Sequence, residues 1–169
     1  MAAASIIAII LVVMVSVELL FGRRIFPEKI KIWGNMEESS RQMFDWYSPS
    51  HIIHGFVFFW CGQLWIAVLL EAIWEMMENS PFVINHYRTK TSSTDYTGDT
   101  VLNSVCDILC VIAGYTLCLY VPYYTIVALI VAMELTTLWL ISDNLTLNIL
   151  MFVLPLKSIK DWQTKRNKK

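Results

Sequence analysis

The stretch HIIHGFVFFWCGQLWIAVLLEAIWEMMEN, His51 to Asn79, decides the fold. As one helix it is about 42 Å long, enough to cross the hydrocarbon core of a bilayer and protrude. Glu71 then marks the far interface, and His51 and His54, at i and i+3 on one face, lie at the opposite membrane face. Broken at Cys61-Gly62-Gln63, it becomes two arms, each too short to span, in a re-entrant hairpin that other parts of the protein must shield. The continuous helix is the expectation; in the two-arm form the histidines can join the carboxylates. Glu71, Glu75 and Glu78 fall at i, i+4 and i+7, within about 60° of arc on a helix. Such a stripe of like charges faces water, shares protons or binds something positive.

The surroundings of this stretch are those of a membrane protein. Of 169 residues, 56% are hydrophobic and 16% charged, whereas soluble domains carry about a quarter charged residues. The expectation is a single all-α integral membrane domain over residues 1–169. The formal charge of -1 conceals a basic tail, residues 157–169, with Lys157, Lys160, Lys165, Arg166, Lys168 and Lys169. That tail reads as a cytoplasmic terminus beside anionic headgroups, so membrane lipids are expected partners and nucleic acid is not. Cys61, Cys106, Cys110 and Cys118 lie in apolar segments and read as small core residues rather than a disulfide framework.

Helices are expected over residues 4–21, 51–78, 99–120, 123–141 and 145–156, about five transmembrane segments with the last one short. Residues 22–50 form a polar connection ending in DWYSPS, and residues 80–100 a polar loop in which His86 reads as exposed. The uncharged start and the Arg23-Arg24 stop favour an outside amino terminus; five crossings then put the tail and the arginines on the cytoplasmic side. In that arrangement Glu71, Glu75, Glu78, Asn79, Asp95, Asp99, Asn103, Asp107, Asp143, Asn144 and Asn148 gather near the outer face, with Glu134 in the outer half of its helix. Carboxylates among membrane apolar residues are costly unless paired or functional, which singles out Glu75, Asp107 and Glu134. Asn103 and Asn148 read equally well as interhelical hydrogen-bonding amides.

Four separated motifs, SPSHIIHGF, EAIWEMMENSPFVINHYR, DYTGDTVLNSVCD and SDNLTLNILM, resemble a bacterial inner-membrane family known as domain of unknown function 2585 and uncharacterised protein family 0314. The resemblance covers most of residues 41–163 and implies a multi-pass inner-membrane protein without an established activity. The family pattern spaces the histidine and glutamate motifs further apart, enough for two helices, which keeps the two-arm reading open. A looser similarity in residue order to VanZ-like membrane proteins is analogy only.

Three readings follow. Glu71, Glu75, Asp99, Asp107 and Glu134 can hold a divalent cation such as Mg²⁺, Mn²⁺ or Ca²⁺, with Arg88 as partner for a lipid phosphate. The same carboxylates can line a proton or cation pathway, or form a satisfied structural core. There is no P-loop and no serine-nucleophile motif, and Asp99 and Asp107 are about 12 Å apart along a helix, too far to share a proton. Whether the protein is an enzyme stays open at this level.

Overall fold

A computed structural model describes residues 2–167, so Lys168 and Lys169 of the basic tail lie outside the described residues. Eight α-helices and two 3-10 turns make up the regular structure among these residues, apart from one isolated bridge between Trp33 and Phe44. The first helix, α1 (Ala2–Leu20), is apolar almost throughout and ends at Gly22, whose φ of +76° is a left-handed conformation that glycine adopts without strain.

The stretch His51 to Asn79 is not one helix. It forms α2 (Ser48–Phe58), a 3-10 turn (Phe59–Cys61) and α3 (Leu64–Glu78), reversing at Gly62 with φ +113°. A side chain at that φ is strained, so the glycine permits the reversal. The Tyr115 hydroxyl donates to the Gly62 carbonyl at 2.6 Å and ties the tip to the helix that carries Tyr115. Across the turn, His51 near the start of α2 faces Glu71 midway along α3. The continuous-helix expectation is therefore corrected in favour of the hairpin.

After α3 come α4 (Pro81–Lys90), α5 (Val101–Tyr120), α6 (Tyr123–Ile141), α7 (Leu145–Val153) and α8 (Lys157–Asn167). The starts of α4, α5 and α7 are capped by Ser80, Thr100 and Asn144, whose side-chain oxygens accept from Val83, Asn103 and Leu147 N–H groups. Val121-Pro122 separates α5 from α6, because proline cannot continue the preceding helix. The expected loop 80–100 thus contains a helix, and the tail is helical through Asn167.

Helix α5 packs against α1, α2 and α3, and α6 packs on the other side of α2. Gly55 of α2 and Gly114 of α5 meet backbone to backbone, Gly114 approaching the Ile52 carbonyl. Met14 of α1, Val68 and Ala72 of α3 and Ile108 of α5 form one buried cluster; Ala67, Val111 and Tyr115 form another. The ends of α1 and α3, the starts of α2 and α5 and the end of α6 consequently lie at one end of the bundle. Arg23 donates to the Thr97 carbonyl there, and the Val101 and Leu102 N–H groups donate to the Arg24 and Ile25 carbonyls. Helix α8 docks at the same end, Gln163 donating to the Ser142 carbonyl and Lys160 to that of Thr89.

Among the described residues, three helices are long and apolar enough to cross a membrane by length and composition: α1, α5 and α6. The expected short fifth segment is the nine-residue α7, and α2 and α3 lie side by side as arms of the hairpin.

Candidate functional site

The hairpin brings together residues that a straight helix would separate. Glu71 accepts from both histidines of α2: His51 Nδ1 lies 2.5 Å from Oε1 and His54 Nδ1 lies 2.9 Å from Oε2. With each Nδ1–H held by one carboxylate, the Nε2 atoms are left for other work. His51 Nε2 lies 3.8 Å from Asp107 Oδ2 on α5, and His51 Nδ1 lies 3.6 Å from Glu75 Oε1 on α3. His51 is thus surrounded by three carboxylates from two helices, all of them buried.

Their hydrogen bonding is incomplete. Both oxygens of Glu75 and Oδ1 of Asp107 are buried without a hydrogen-bond partner. A buried carboxylate oxygen left bare in this way costs free energy unless a proton, a water or a cation meets it. His51, His54 and Glu71 form one set of donor atoms within 4.8 Å of one another; His51, Glu75 and Asp107 form a second.

A cavity of about 70 Å³ opens beside this cluster, enough for an ion with several waters. His51, His54, Glu78, Asp99, Asn103, Asp107 and Asn148 line it, together with Trp74 and the tyrosines Tyr47, Tyr87 and Tyr96. The Tyr96 hydroxyl donates to Asp99 Oδ2 at 2.9 Å and the Tyr87 hydroxyl to Asn148 Oδ1 at 3.0 Å. Burial raises the Asp99 carboxyl above its ordinary range, against the lowering effect of hydrogen bonds from Ser40 and Tyr96. Asp143 lies just outside, accepting from the Tyr47 hydroxyl at 3.2 Å, and burial lifts it to about 6.

Other residues singled out from the sequence have different places. Glu134 accepts from the Leu145 and Thr146 N–H groups at 2.9 and 3.1 Å, so it helps cap α7 and is not among the donor sets. Asn144 is the other cap of α7. Asn79 accepts from the Asp99 N–H at 2.6 Å and donates to Ser104, pinning α3 to the start of α5. Asn103 lines the cavity while donating to the Gln42 carbonyl. Arg88 and Asp95 are exposed and do not line the cavity, so the expected pairing of Arg88 with an anion at this cluster has no geometric basis.

Sequence reading passed over Glu18, which is fully buried on α1 with both carboxylate oxygens unpartnered. The signal was a single carboxylate inside an apolar run. Tyr47, Tyr96 and Trp74 were also missed as cavity walls; tyrosine and tryptophan in a membrane-like sequence read first as interface anchors.

Residues 19–165 match the family described as "Protein of unknown function (DUF2585)". A UPF0314 protein of Rhizobium meliloti strain 1021 is 41% identical over 91% of this chain and 86% of its own length. UPF0314 proteins of Sinorhizobium fredii and Sphingopyxis alaskensis are 45% and 46% identical, each over 79% of this chain and over 75% and 79% of their own lengths. No solved structure matches. The chain belongs to the DUF2585 family, and these relatives carry the name UPF0314.

Proposed function

We propose that this protein is a bacterial inner-membrane protein that binds a divalent cation at a histidine–carboxylate site opening to the cytoplasmic face. In this reading α1, α5 and α6 span the bilayer, and α2 and α3 enter from one face and return to it. Charge distribution supports it. Arg23, Arg24, Lys29, Lys31 and Arg41 follow α1, Arg88 and Lys90 close α4, and Lys157, Lys160, Lys165 and Arg166 lie on α8, all toward one end. The opposite end carries the hairpin tip and the exposed Tyr120, Tyr123 and Tyr124, an uncharged aromatic rim. An excess of Lys and Arg marks the cytoplasmic side, so the site opens inward, opposite to the outer face expected from five crossings.

The unpartnered oxygens of Glu75 and Asp107 around His51 carry the cation reading. Replacing the hard oxygen set by one imidazole and two carboxylates shifts the favoured ions toward Zn²⁺, Mn²⁺ or Fe²⁺ and away from Ca²⁺. Glu71 would serve as the carboxylate that orients the imidazole through Nδ1, an arrangement common to metal-bound histidine. The proton-pathway reading calls on the same carboxylates, with protons in place of the metal.

Metal content of the purified protein, prepared in metal-supplemented medium without chelator, tests this. The expected result is about one transition-metal ion per chain in wild type and loss of that ion in Glu75→Gln and Asp107→Asn. Wild-type protein that holds no metal after dialysis against micromolar Zn²⁺, Mn²⁺ and Fe²⁺ would overturn the assignment. Cysteine labelling from each side of the membrane, at Ser92→Cys and Tyr123→Cys in a Cys61→Ser background because Cys61 is exposed at the hairpin tip, tests the topology: an impermeant reagent outside should reach position 123 and not position 92.

A further inference from the structure

We propose a second site: the basic cavity between the end of α1, the 22–42 connection and the start of α5 binds a phosphate group, carried by an anionic lipid headgroup or free in solution. The cavity measures about 640 Å³ and is lined by Arg23, Arg24, Lys29 and Arg41. That volume lies within the range of small-ligand sites.

The four cations outnumber the lining carboxylates by one, and Arg23 also feels the charge of Glu18 on α1. Three carboxylates, Glu28, Glu38 and Asp99, also line the space, but Glu38 is engaged by Lys31 and Asp99 accepts from Tyr96. Among the described residues, no carboxylate lies within ion-pair distance of Arg23, Arg24, Lys29 or Arg41. Arg23 spends its two terminal nitrogens on the Thr97 and Phe21 carbonyls and leaves a buried Nε with no hydrogen-bond partner. Arg24, Lys29 and Arg41, exposed and without an ion-pair partner, line one concave space, and phosphate oxygens are acceptors suited to their N–H donors.

Gly98 holds the arginine in place. Its φ is +88°, and a Cβ there would strike Arg23 Nη1, with Asn79 Oδ1 3.0 Å away. The guanidinium therefore sits against a glycine at the threshold of α5, immediately beyond the apolar length of α1. If α1 spans the bilayer, this is headgroup level, so the lipid source rests on the membrane reading above. The phosphate chemistry does not.

Two arms separate the sources. In the first, protein in nanodiscs of equal phosphatidylglycerol and phosphatidylcholine is released into a mass spectrometer under native conditions. Wild type should retain one phosphatidylglycerol, and Arg24→Gln/Arg41→Gln should lose at least tenfold of that retention. The tail variant Lys157→Gln/Lys160→Gln should keep it. In the second, inorganic phosphate is titrated calorimetrically onto protein in phosphatidylcholine nanodiscs. Saturable binding that Arg24→Gln/Arg41→Gln abolishes assigns free phosphate; retention in the first arm alone assigns the headgroup.

Wild type that binds in neither arm overturns the proposal, whatever the variants do. Equal loss in the tail variant also overturns it, since the effect would then be general charge. Lys29→Gln, a single change at an exposed position, provides a check should the double variant fold poorly. His51→Ala should lose the cation of the first site while binding in the responsive arm persists, so the two proposals fail separately.

Discussion

The contact between Gly55 and Gly114 makes Gly55→Ala the sharpest test of the architecture. A Cβ at position 55 would lie 2.8 Å from the Tyr115 nitrogen and 3.0 Å from the Gly114 Cα, with the Val111 carbonyl oxygen closer still. These are backbone atoms of a packed helix, with no rotamer to give way. Ordinary contact begins near 3.4 Å, so α2 must retreat by at least about 0.6 Å at the nitrogen and further at the carbonyl. Overpacking of this kind costs about 1–3 kcal/mol, and a clash with backbone belongs at the upper end. Alanine recovers about 1 kcal/mol of helix propensity over glycine. The net expectation is a loss of about 2 kcal/mol, roughly a thirtyfold shift toward the unfolded or opened state.

The site should feel the same displacement. His51 lies one turn before Gly55, and its two ring nitrogens are set 2.5 Å from Glu71 and 3.8 Å from Asp107. Moving α2 away from α5 lengthens the second distance first. Cation affinity should fall by about tenfold or more, as it does when the groups that position a ligand are disturbed. Thermal unfolding in a fixed detergent and metal titration of the same preparation measure both effects. Gly22→Ala is the comparison: its φ is +76° but nothing lies within 4 Å of the added carbon. It should cost only backbone strain, about 1 kcal/mol, and leave cation affinity alone. A Gly55→Ala protein that melts with wild type and binds the cation equally well would refute the close α2–α5 contact.

Three further outcomes are expected. Glu134→Ala frees the Leu145 and Thr146 N–H groups at the start of α7 and should lower stability by about 1 kcal/mol, with metal content unchanged; lost metal would restore Glu134 to the site. Tyr115→Phe removes the hydroxyl bond to the Gly62 carbonyl and should cost about 1 kcal/mol, with faster backbone hydrogen exchange at the hairpin tip; unaltered exchange would mean the tip is held by other contacts. Asp143, lifted by burial from 3.8 to about 6, binds its proton more tightly folded than unfolded. Its stabilising contribution is therefore full below 3.8 and is lost as pH rises to about 6. Melting temperature should decline less over that interval in Asp143→Asn than in wild type, and equal slopes would remove Asp143 as the cause.

Periodicity made the carboxylates of α3 and α5 legible, because spacing of three and four residues fixes a face before any partner is known. It did not reveal what each carboxylate meets. Burial cost argued equally for Glu75, Asp107 and Glu134, yet Glu134 finds two N–H groups of α7 while Glu75 and Asp107 surround an imidazole. The distinction comes from contacts between segments far apart in the chain, which have no trace in a local pattern. Glu18 shows the opposite error. Its apolar neighbours made α1 easy to recognise, and that ease concealed a carboxylate that the fold buries completely.

The largest difference turns on Gly62. A glycine inside a helical pattern costs about 1 kcal/mol, too little to reject a continuous helix from the sequence alone. What favours the reversal lies elsewhere: the Tyr115 hydroxyl on the Gly62 carbonyl, and the two glycines that let α2 press against α5. A straight helix would carry Glu71 and Glu75 to the end of the bundle away from Arg23. The reversal returns them to it, one helix away from His51. One backbone conformation therefore determines both the membership of the cluster and its side of the bundle.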